Sequence, residues 1–365
     1  MSNITSIRSG TTDFSPVQVG KLNQLFTMSQ HLFEKWGYLP IIPLLKQSHL
    51  NTQGEESLQQ NILETLCASL SQMTLPSRFW YMGPVNGSYE MGIECIGADA
   101  LTLDAEVISV AIEILRLFHI REFRLLVGNK RYMQSLIESG DTDAERKISL
   151  LRGDEHFLDQ VKAMSSERTS IRALEDLKWV GHVIREFGFK DHVHFDLRPF
   201  LSEVEYQDII FKIECGSKTR LTISGGRRKR GSIEAVGFSL NVLDLLSAAN
   251  EIGVPVPSPK IDFLLVNRKK TRKSSFEVMK VLRGHGYSVA LDHSDMNREE
   301  LLDYAQKSGV LNLLIIGDEE LQLHEVRLID VTDRISTKLS VADIFDEKSG
   351  INKLLRYHKR LELES

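Results

Sequence analysis

Two carboxylates, Glu90 and Glu94, sit on an apolar strand-like run, Glu90-Met-Gly-Ile-Glu94-Cys-Ile-Gly97. A buried carboxylate without a partner is costly, so the pair reads in two ways. Either both are paired structural groups, or Glu94 contacts a ligand. Tyr206 is either a packed strand aromatic or a ligand contact. Gly225-Gly226, followed by Arg227, marks a bulge, a close backbone approach or part of a binding site. Two basic runs stand out, Gly226-Arg-Arg-Lys-Arg230-Gly231 and Arg268-Lys-Lys-Thr-Arg-Lys273. As solvated loops they need no function. As contacts, Arg228, Lys229, Arg230, Lys269 and Lys270 suit an anion: RNA phosphate, a nucleotide or an acidic partner surface. Neither run is interleaved with aromatics, so stacking on single strands is not implied.

Other chemistries find little support. His192 and His194 share one face of a strand, but no third ligand stands at a suitable spacing, so no metal is expected. No G-x-S-x-G elbow surrounds Ser224. The cysteines, Cys67, Cys95 and Cys215, include no CxxC pair and lie among apolar neighbours, as buried thiols do.

The elements that must carry these residues follow from pattern. At 365 residues, with 42% hydrophobic and 26% charged, the chain has the composition of a soluble globular protein of two or three domains. A net charge of -5 argues against a surface that seeks nucleic acid or membrane in general, while leaving room for a local basic patch. The N-terminus lacks a secretory signal and no apolar run is long enough to span a bilayer, so the cytoplasm is expected.

Helices are predicted over 17–36, 55–73 and 103–118, with further helix through most of 129–190. Strands are predicted at 78–82 and 91–96, joined by a short loop holding Gly83, Pro84, Asn86 and Gly87, and at 123–127. Three more strands, 194–197, 209–215 and 220–224, precede a strand that passes into a helix over 235–250. This succession implies α+β with a largely antiparallel sheet. Pro255, Pro257 and Pro259 punctuate the best linker, 255–260. Beyond it, strands at 261–266, 288–291, 311–316 and 325–330 alternate with helices at 273–284 and 298–308, which indicates a small α/β unit with a mixed sheet.

Two groups of segments carry a family resemblance. The first is Arg78-Phe-Trp-Tyr-Met-Gly-Pro, the Glu90–Gly97 run and Asp104-Ala-Glu-Val-Ile108. The second is Tyr206-Gln-Asp-Ile-Ile-Phe211, Ser224-Gly-Gly-Arg227 and Ala235-Val-Gly-Phe238. In this order they resemble the catalytic domain of histidyl-tRNA synthetase and its class II paralogues. Residues 261–345, with Leu282-Arg-Gly-His-Gly286 and Ile315-Ile-Gly-Asp-Glu-Glu320-Leu, resemble that family's anticodon-binding domain. The resemblance implies a class II synthetase-like antiparallel sheet flanked by helices (1–254), the linker, an anticodon-binding-like α/β domain (261–348) and a tail (349–365).

It also implies lost chemistry. Adenylation needs cations clamped on the ATP phosphates. The family's arginine-rich motif 2 loop is here Val85-Asn86-Gly87-Ser88-Tyr89, without Arg or Lys. The motif 3 arginine falls at Asp244, whose carboxylate would repel a triphosphate by several kcal/mol in a dry site. The amino-acid site is eroded too, with Leu201 in place of an arginine and Arg228-Lys229 in place of a Tyr-Asp pair. Glu94, Tyr206, Gly225, Gly226 and Arg227 remain as candidate ligand contacts. These departures point to a non-catalytic member without cofactor. The best-known such role in the family is the regulatory subunit of ATP phosphoribosyltransferase, in histidine biosynthesis, whose partner is the short catalytic subunit. The alternative is an RNA-binding or signalling paralogue that recognises tRNA through its C-terminal domain. A homodimer through the 17–45 helix–strand segment is implied in either case.

Overall fold

In a computed structural model, the chain forms two compact units, Met1–Pro257 and Ser258–Ser365. The structure describes residues 16–42, 58–59, 62–63, 74–85, 88–98, 100–138, 152–153, 158–159, 161–162, 168–189, 193–196, 206–216, 221–231, 233–253, 260–266, 272–294, 296–317 and 324–345. The expected linker prolines, the tail at 349–365, Cys67, His192, Lys269 and Lys270 lie outside them.

The first unit is built on a nine-stranded sheet of order β1-β2-β3-β9-β8-β7-β4-β6-β5. Its strands are β1 (Leu39–Ile41), β2 (Ser77–Val85), β3 (Ser88–Ile96), β4 (Phe123–Asn129), β5 (Arg152–Gly153), β6 (Val193–Asp196), β7 (Ile209–Cys215), β8 (Thr222–Arg230) and β9 (Ile233–Asn241). Most neighbours are antiparallel; β1 on β2 and β6 on β4 are parallel. The helices α1 (Pro16–Lys35), α2 (Leu101–Leu117), α3 (Lys130–Glu138), α4 (Arg168–Glu186) and α5 (Val242–Glu251) accompany the sheet.

Local sequence explains the helix ends. Gly37, at φ +80°, takes the left-handed turn that stops α1, and the amide of Tyr38 closes it onto Phe33. The side chain of Asn241 accepts from the amides of Leu243 and Asp244 at 2.9 and 3.2 Å and so starts α5 where β9 ends. The apolar surface of α2 is too broad for one stripe, and Leu103, Val107, Ile108, Val110, Ile112 and Ile114 are all buried, so this helix runs through the core.

The two faces of the sheet have different covers. Met91, Ile93 and Cys95 of β3 and Val236, Phe238 and Leu240 of β9 pack with Leu25 and Phe33 of α1 and with α2 and α5. On the opposite face a smaller cluster joins Tyr81, Ile96 and Ala235 to Leu58, Ile62 and Leu63. That smaller cluster borders the candidate site.

The second unit holds a five-stranded sheet of order β11-β10-β12-β13-β14: β10 (Ile261–Val266), β11 (Val289–Asp292), β12 (Val310–Ile315), β13 (Glu325–Asp330) and β14 (Ser336–Ser340). The first three are parallel and the last two antiparallel, so the sheet is mixed. Phe263 and Leu265 of β10 pack with Val278 and Leu282 of α6 (Arg272–Gly284). Leu264 and Val266 pack with Leu301, Leu302 and Ala305 of α7 (Arg298–Lys307). The period of two along β10 thus assigns one helix to each face. Asn297 and Glu300 form a capping box at the start of α7, and α8 (Val341–Phe345) follows β14.

Four expectations need correction. Gly83 and Pro84 are not in a loop: β2 runs to Val85 and pairs Val85 with Ser88, leaving only residues 86–87 between the strands. The run Arg227–Arg230 is not a loop either, because β8 continues through it to Arg230. Within 129–190, Arg152–Gly153 forms an edge strand instead of helix. Strand β14 was unforeseen, since Ser336-Thr-Lys-Leu-Ser340 is polar and largely exposed and carries no apolar signal.

Candidate functional site

Register sets the site. Glu94 on β3 stands opposite Gly237 on β9, which stands opposite Gly226 on β8. Two residues along, Ile96, Ala235 and Arg228 form the next row on the same face. The two glycines leave a bare lane of backbone beside Glu94. A Cβ at 237 would lie 2.4 Å from Glu94 Oε2, and one at 226 would lie 2.9 Å from Tyr206 Cδ1. Glycine is required there because the carboxylate and the tyrosine ring occupy the space.

Glu94 is completely buried. Its Oε2 accepts from Gln59 Nε2 at 3.3 Å and from Arg228 Nη2 at 2.5 Å. Glu90, four residues back on the same face of the strand, accepts from the amides of Leu58 and Gln59 at 3.3 and 3.2 Å and from the Tyr81 hydroxyl at 3.1 Å. The two carboxylates therefore do not pair with each other. Glu90 holds the chain at 58–59 over the sheet, and that segment delivers Gln59 to Glu94.

Electrostatics follow from burial. Desolvation pushes the Glu94 carboxyl above the usual carboxylate range against the pull of Arg228 and the hydrogen bonds from Arg228 and Gln59. Burial works to lower Arg228, but the adjoining Glu94 carboxylate outweighs it and keeps the guanidinium charged. Tyr81 is held well above its ordinary value by burial and by Glu90 and Glu94, so its hydroxyl stays a donor. The result is a buried polar cluster, with the Arg228–Glu94 pair at its centre and the Gln59 amide and Tyr81 hydroxyl as donors around it.

Of the candidate ligand contacts, the structure brings together Glu94, Tyr206 and Gly226. Gly225 and Arg227 occupy the alternate positions of β8 and face the other way. A Cβ at 225 would meet the Phe211 ring at 2.6 Å. Arg227 is buried against α2, where it donates to Asp104, to Glu234 at 3.1 Å and to the Ala100 carbonyl at 3.1 Å. Its expected place among the ligand contacts is corrected on that ground, since its guanidinium is committed to tying the sheet to a helix.

Arg228 is likewise not the exposed anion contact that the basic run suggested; only 3% of it reaches solvent. Lys229 and Arg230 are exposed at the end of β8, and Lys229 Nζ lies 3.3 Å from Glu234. The cations of this run therefore divide between two buried structural pairs and an exposed strand end. Sequence reasoning missed Gln59 and the partnership of Arg228 with Glu94. The available signal was the substitution itself, an arginine where the resembling family has a tyrosine, beside a retained carboxylate.

Cys95 and Cys215 are buried, with thiols pushed up by burial to about 11 and about 12. His194 is exposed on β6, and among the described residues no group of three or more His, Cys, Asp or Glu side chains could hold a metal. Nor, among them, is any helix long and apolar enough to cross a membrane.

Comparison with known proteins agrees with this architecture. Residues 65–151 match the histidyl-tRNA synthetase family model, and residues 260–349 match the anticodon binding domain model. An ATP phosphoribosyltransferase regulatory subunit from Geobacter sulfurreducens is 25% identical over 96% of this chain and 98% of its own. The crystal structure of histidyl-tRNA synthetase from Nostoc superposes with a TM-score of 0.76 at 18% identity, covering 95% of this chain and 99% of that one. An ATP phosphoribosyltransferase regulatory subunit/histidyl-tRNA synthetase from Bacillus halodurans superposes with a TM-score of 0.67 at 18% identity, covering 86% and 99%. In sequence and in fold the chain is histidyl-tRNA synthetase-like, with an anticodon-binding domain at its C-terminal end.

Proposed function

We propose that this chain is a regulatory subunit of ATP phosphoribosyltransferase, active in histidine biosynthesis through a catalytic partner and without chemistry of its own. The observation that carries the reading is the near end-to-end match to relatives so named, 25% and 26% identical over 96% and 94% of the chain. Physical features support the non-catalytic part. Only two residues, Asn86 and Gly87, connect β2 to β3, and neither is basic. Asp244 lies in the first turn of α5, where the resemblance calls for a cation. A triphosphate held between them would meet no clamp from either element.

The same reading gives the assembly and the setting. The chain acts in the cytoplasm as a homodimer joined through α1 and β1. Leu39 and Ile42 support that interface, because they are 65% and 82% exposed at the β1 edge of the sheet. Glu94, Tyr206 and Gly226 are what persists of the small-ligand site.

The test is to mix the purified chain with the short catalytic subunit from the same source. Co-elution as one hetero-oligomer and a catalytic rate that depends on the chain are expected. Separate elution and an unchanged rate would refute the role. The alternative, an RNA-binding paralogue, draws on the anticodon-binding match at 260–349. It predicts a salt-sensitive complex with tRNA and no effect on the transferase.

A further inference from the structure

The turn from α2 into β4 carries a surface cavity of about 440 Å³, within the roughly 300–1,000 Å³ of small-molecule sites. Among the described residues it is lined by Arg116, His119, Arg121 and Phe123. No carboxylate stands in that lining, and among the described residues none of the three basic side chains has an acidic partner. By contrast, Arg78, Arg124, Arg131, Arg227, Arg228 and Arg334 each pair with a carboxylate. Carboxylates were available, since the chain has 50 acidic residues against 45 Lys and Arg.

Local structure holds the donors in place. The Arg116 guanidinium lies 4.3 Å from the centroid of the buried Phe189 ring. Stacking occupies the flat face of a guanidinium and leaves its in-plane N–H groups available. His119 follows the helix end at φ +56°, a left-handed position that ordinarily falls to glycine. Its amide donates to the Arg116 carbonyl at 2.9 Å and the Ile120 amide to that of Leu115 at 2.8 Å, which closes the turn. Arg121 lines the same cavity two residues before Phe123, whereas Arg124 is drawn to Glu214 at 2.8 Å. The negative end of α2 accounts for one nearby cation, Arg116 in its last turn. It does not account for a histidine in a strained backbone position, or for a second arginine on the same cavity.

Cations gathered around a cavity without a carboxylate repel one another, and a bound anion relieves them. Two guanidiniums and an imidazole supply donors that suit the several oxygens of a phosphate group. We propose that this cavity binds a small phosphate-bearing anion of the pyrophosphate class. It is separate from the Glu94 site. The row through Glu94, Gly237 and Gly226 crosses β7 at Ile210 and reaches β4 at Gly128, whereas Phe123 begins that strand at its other end. The inference therefore stands whether or not the chain regulates a transferase.

The test is calorimetric titration of the full chain with inorganic pyrophosphate at about 0.15 M salt, where diffuse surface attraction is screened. Wild type is expected to bind, and the double variant His119→Asn/Arg121→Gln to bind at least about tenfold more weakly. Both positions are exposed and asparagine tolerates the left-handed backbone, so this variant should fold. Lys229→Gln/Arg230→Gln, which removes the exposed cations at the end of β8, should bind as wild type does. No binding by wild type, full affinity in the first variant, or equal loss in both would overturn the proposal. Should the first variant not fold, wild type alone decides. Pyrophosphate should slow phenylglyoxal modification of Arg116 and Arg121 several-fold and leave Arg124 unchanged, as mapped by mass spectrometry. Uniform protection, or none, refutes the site.

Discussion

Arg227 and Arg228 are neighbours in sequence and lie on opposite sides of one sheet. Arg227 crosses to Asp104 on α2, and Arg228 crosses to Glu94 on β3. The alternation of a strand turns one dipeptide into two separate buried ion pairs. One fastens the sheet to its helical layer; the other joins β8 to β3 on the opposite face.

Removal of Arg227 should therefore cost far more than removal of its exposed neighbour. Arg227→Ala leaves Asp104 buried without its cation, and breaking such a pair costs about 3–5 kcal/mol. Lys229 is 46% exposed in its side chain and pairs at 3.3 Å with Glu234. Lys229→Ala should cost at most about 1 kcal/mol. Urea midpoints of the two variants would decide the matter, and equal losses would mean that the Arg227–Asp104 pair does not hold the layers together.

Two glycines should respond differently to alanine. At Gly237 a Cβ would lie 2.2 Å from the Ile93 carbonyl, which is fixed by the pairing of β3 with β9. Gly237→Ala should cost about 3 kcal/mol, the upper end of what overpacking ordinarily brings, and should displace Glu94. At Gly188 nothing lies within 4 Å, and the penalty is the left-handed φ of +89° alone. Gly188→Ala should cost about 1–2 kcal/mol. Chemical denaturation of both variants checks the order.

The sequence made the layers legible where one residue type dominated a face. The apolar wrap of α2 and the alternation of β10 needed no partner to be recognised. The basic run failed because its meaning lies far away: Arg227 and Arg228 bond residues 123 and 134 positions distant. Without those partners, four cations in a row look like a solvated loop. Gly83 and Pro84 misled for the opposite reason, since local turn chemistry was overridden by continuous pairing of β2 with β3. Of the candidate site, Glu94, Tyr206 and Gly226 were legible through resemblance, whereas Gln59 arrives through a long-range hydrogen bond that no local pattern encodes.

The cysteines offer a direct test of burial. Thiols raised to about 11 and about 12 hold about one thiolate in a thousand or fewer at pH 8. Because the thiolate is the nucleophile, Cys95 and Cys215 should resist iodoacetamide for hours in the native protein and react fully in denaturing urea. Peptide mapping by mass spectrometry reads both sites. Prompt modification of native Cys95 would show that the helical layer over β3 opens readily.

The last prediction concerns pH. Burial, partly offset by Arg227, raises the carboxyl of Asp104 from the ordinary 3.8 to about 6. Between those values the folded chain binds a proton that the unfolded chain has released. The contribution of Asp104 to stability is therefore complete below about pH 4 and declines as pH rises through 6. A rise of that size is worth about 3 kcal/mol across the window. Asp104→Asn removes the titration and leaves a constant offset. The stability difference between wild type and the variant should accordingly shrink or reverse from pH 4 to pH 7, as read from urea unfolding at each pH. A difference that grows with pH would mean that Arg227 dominates over burial and holds Asp104 ionised throughout.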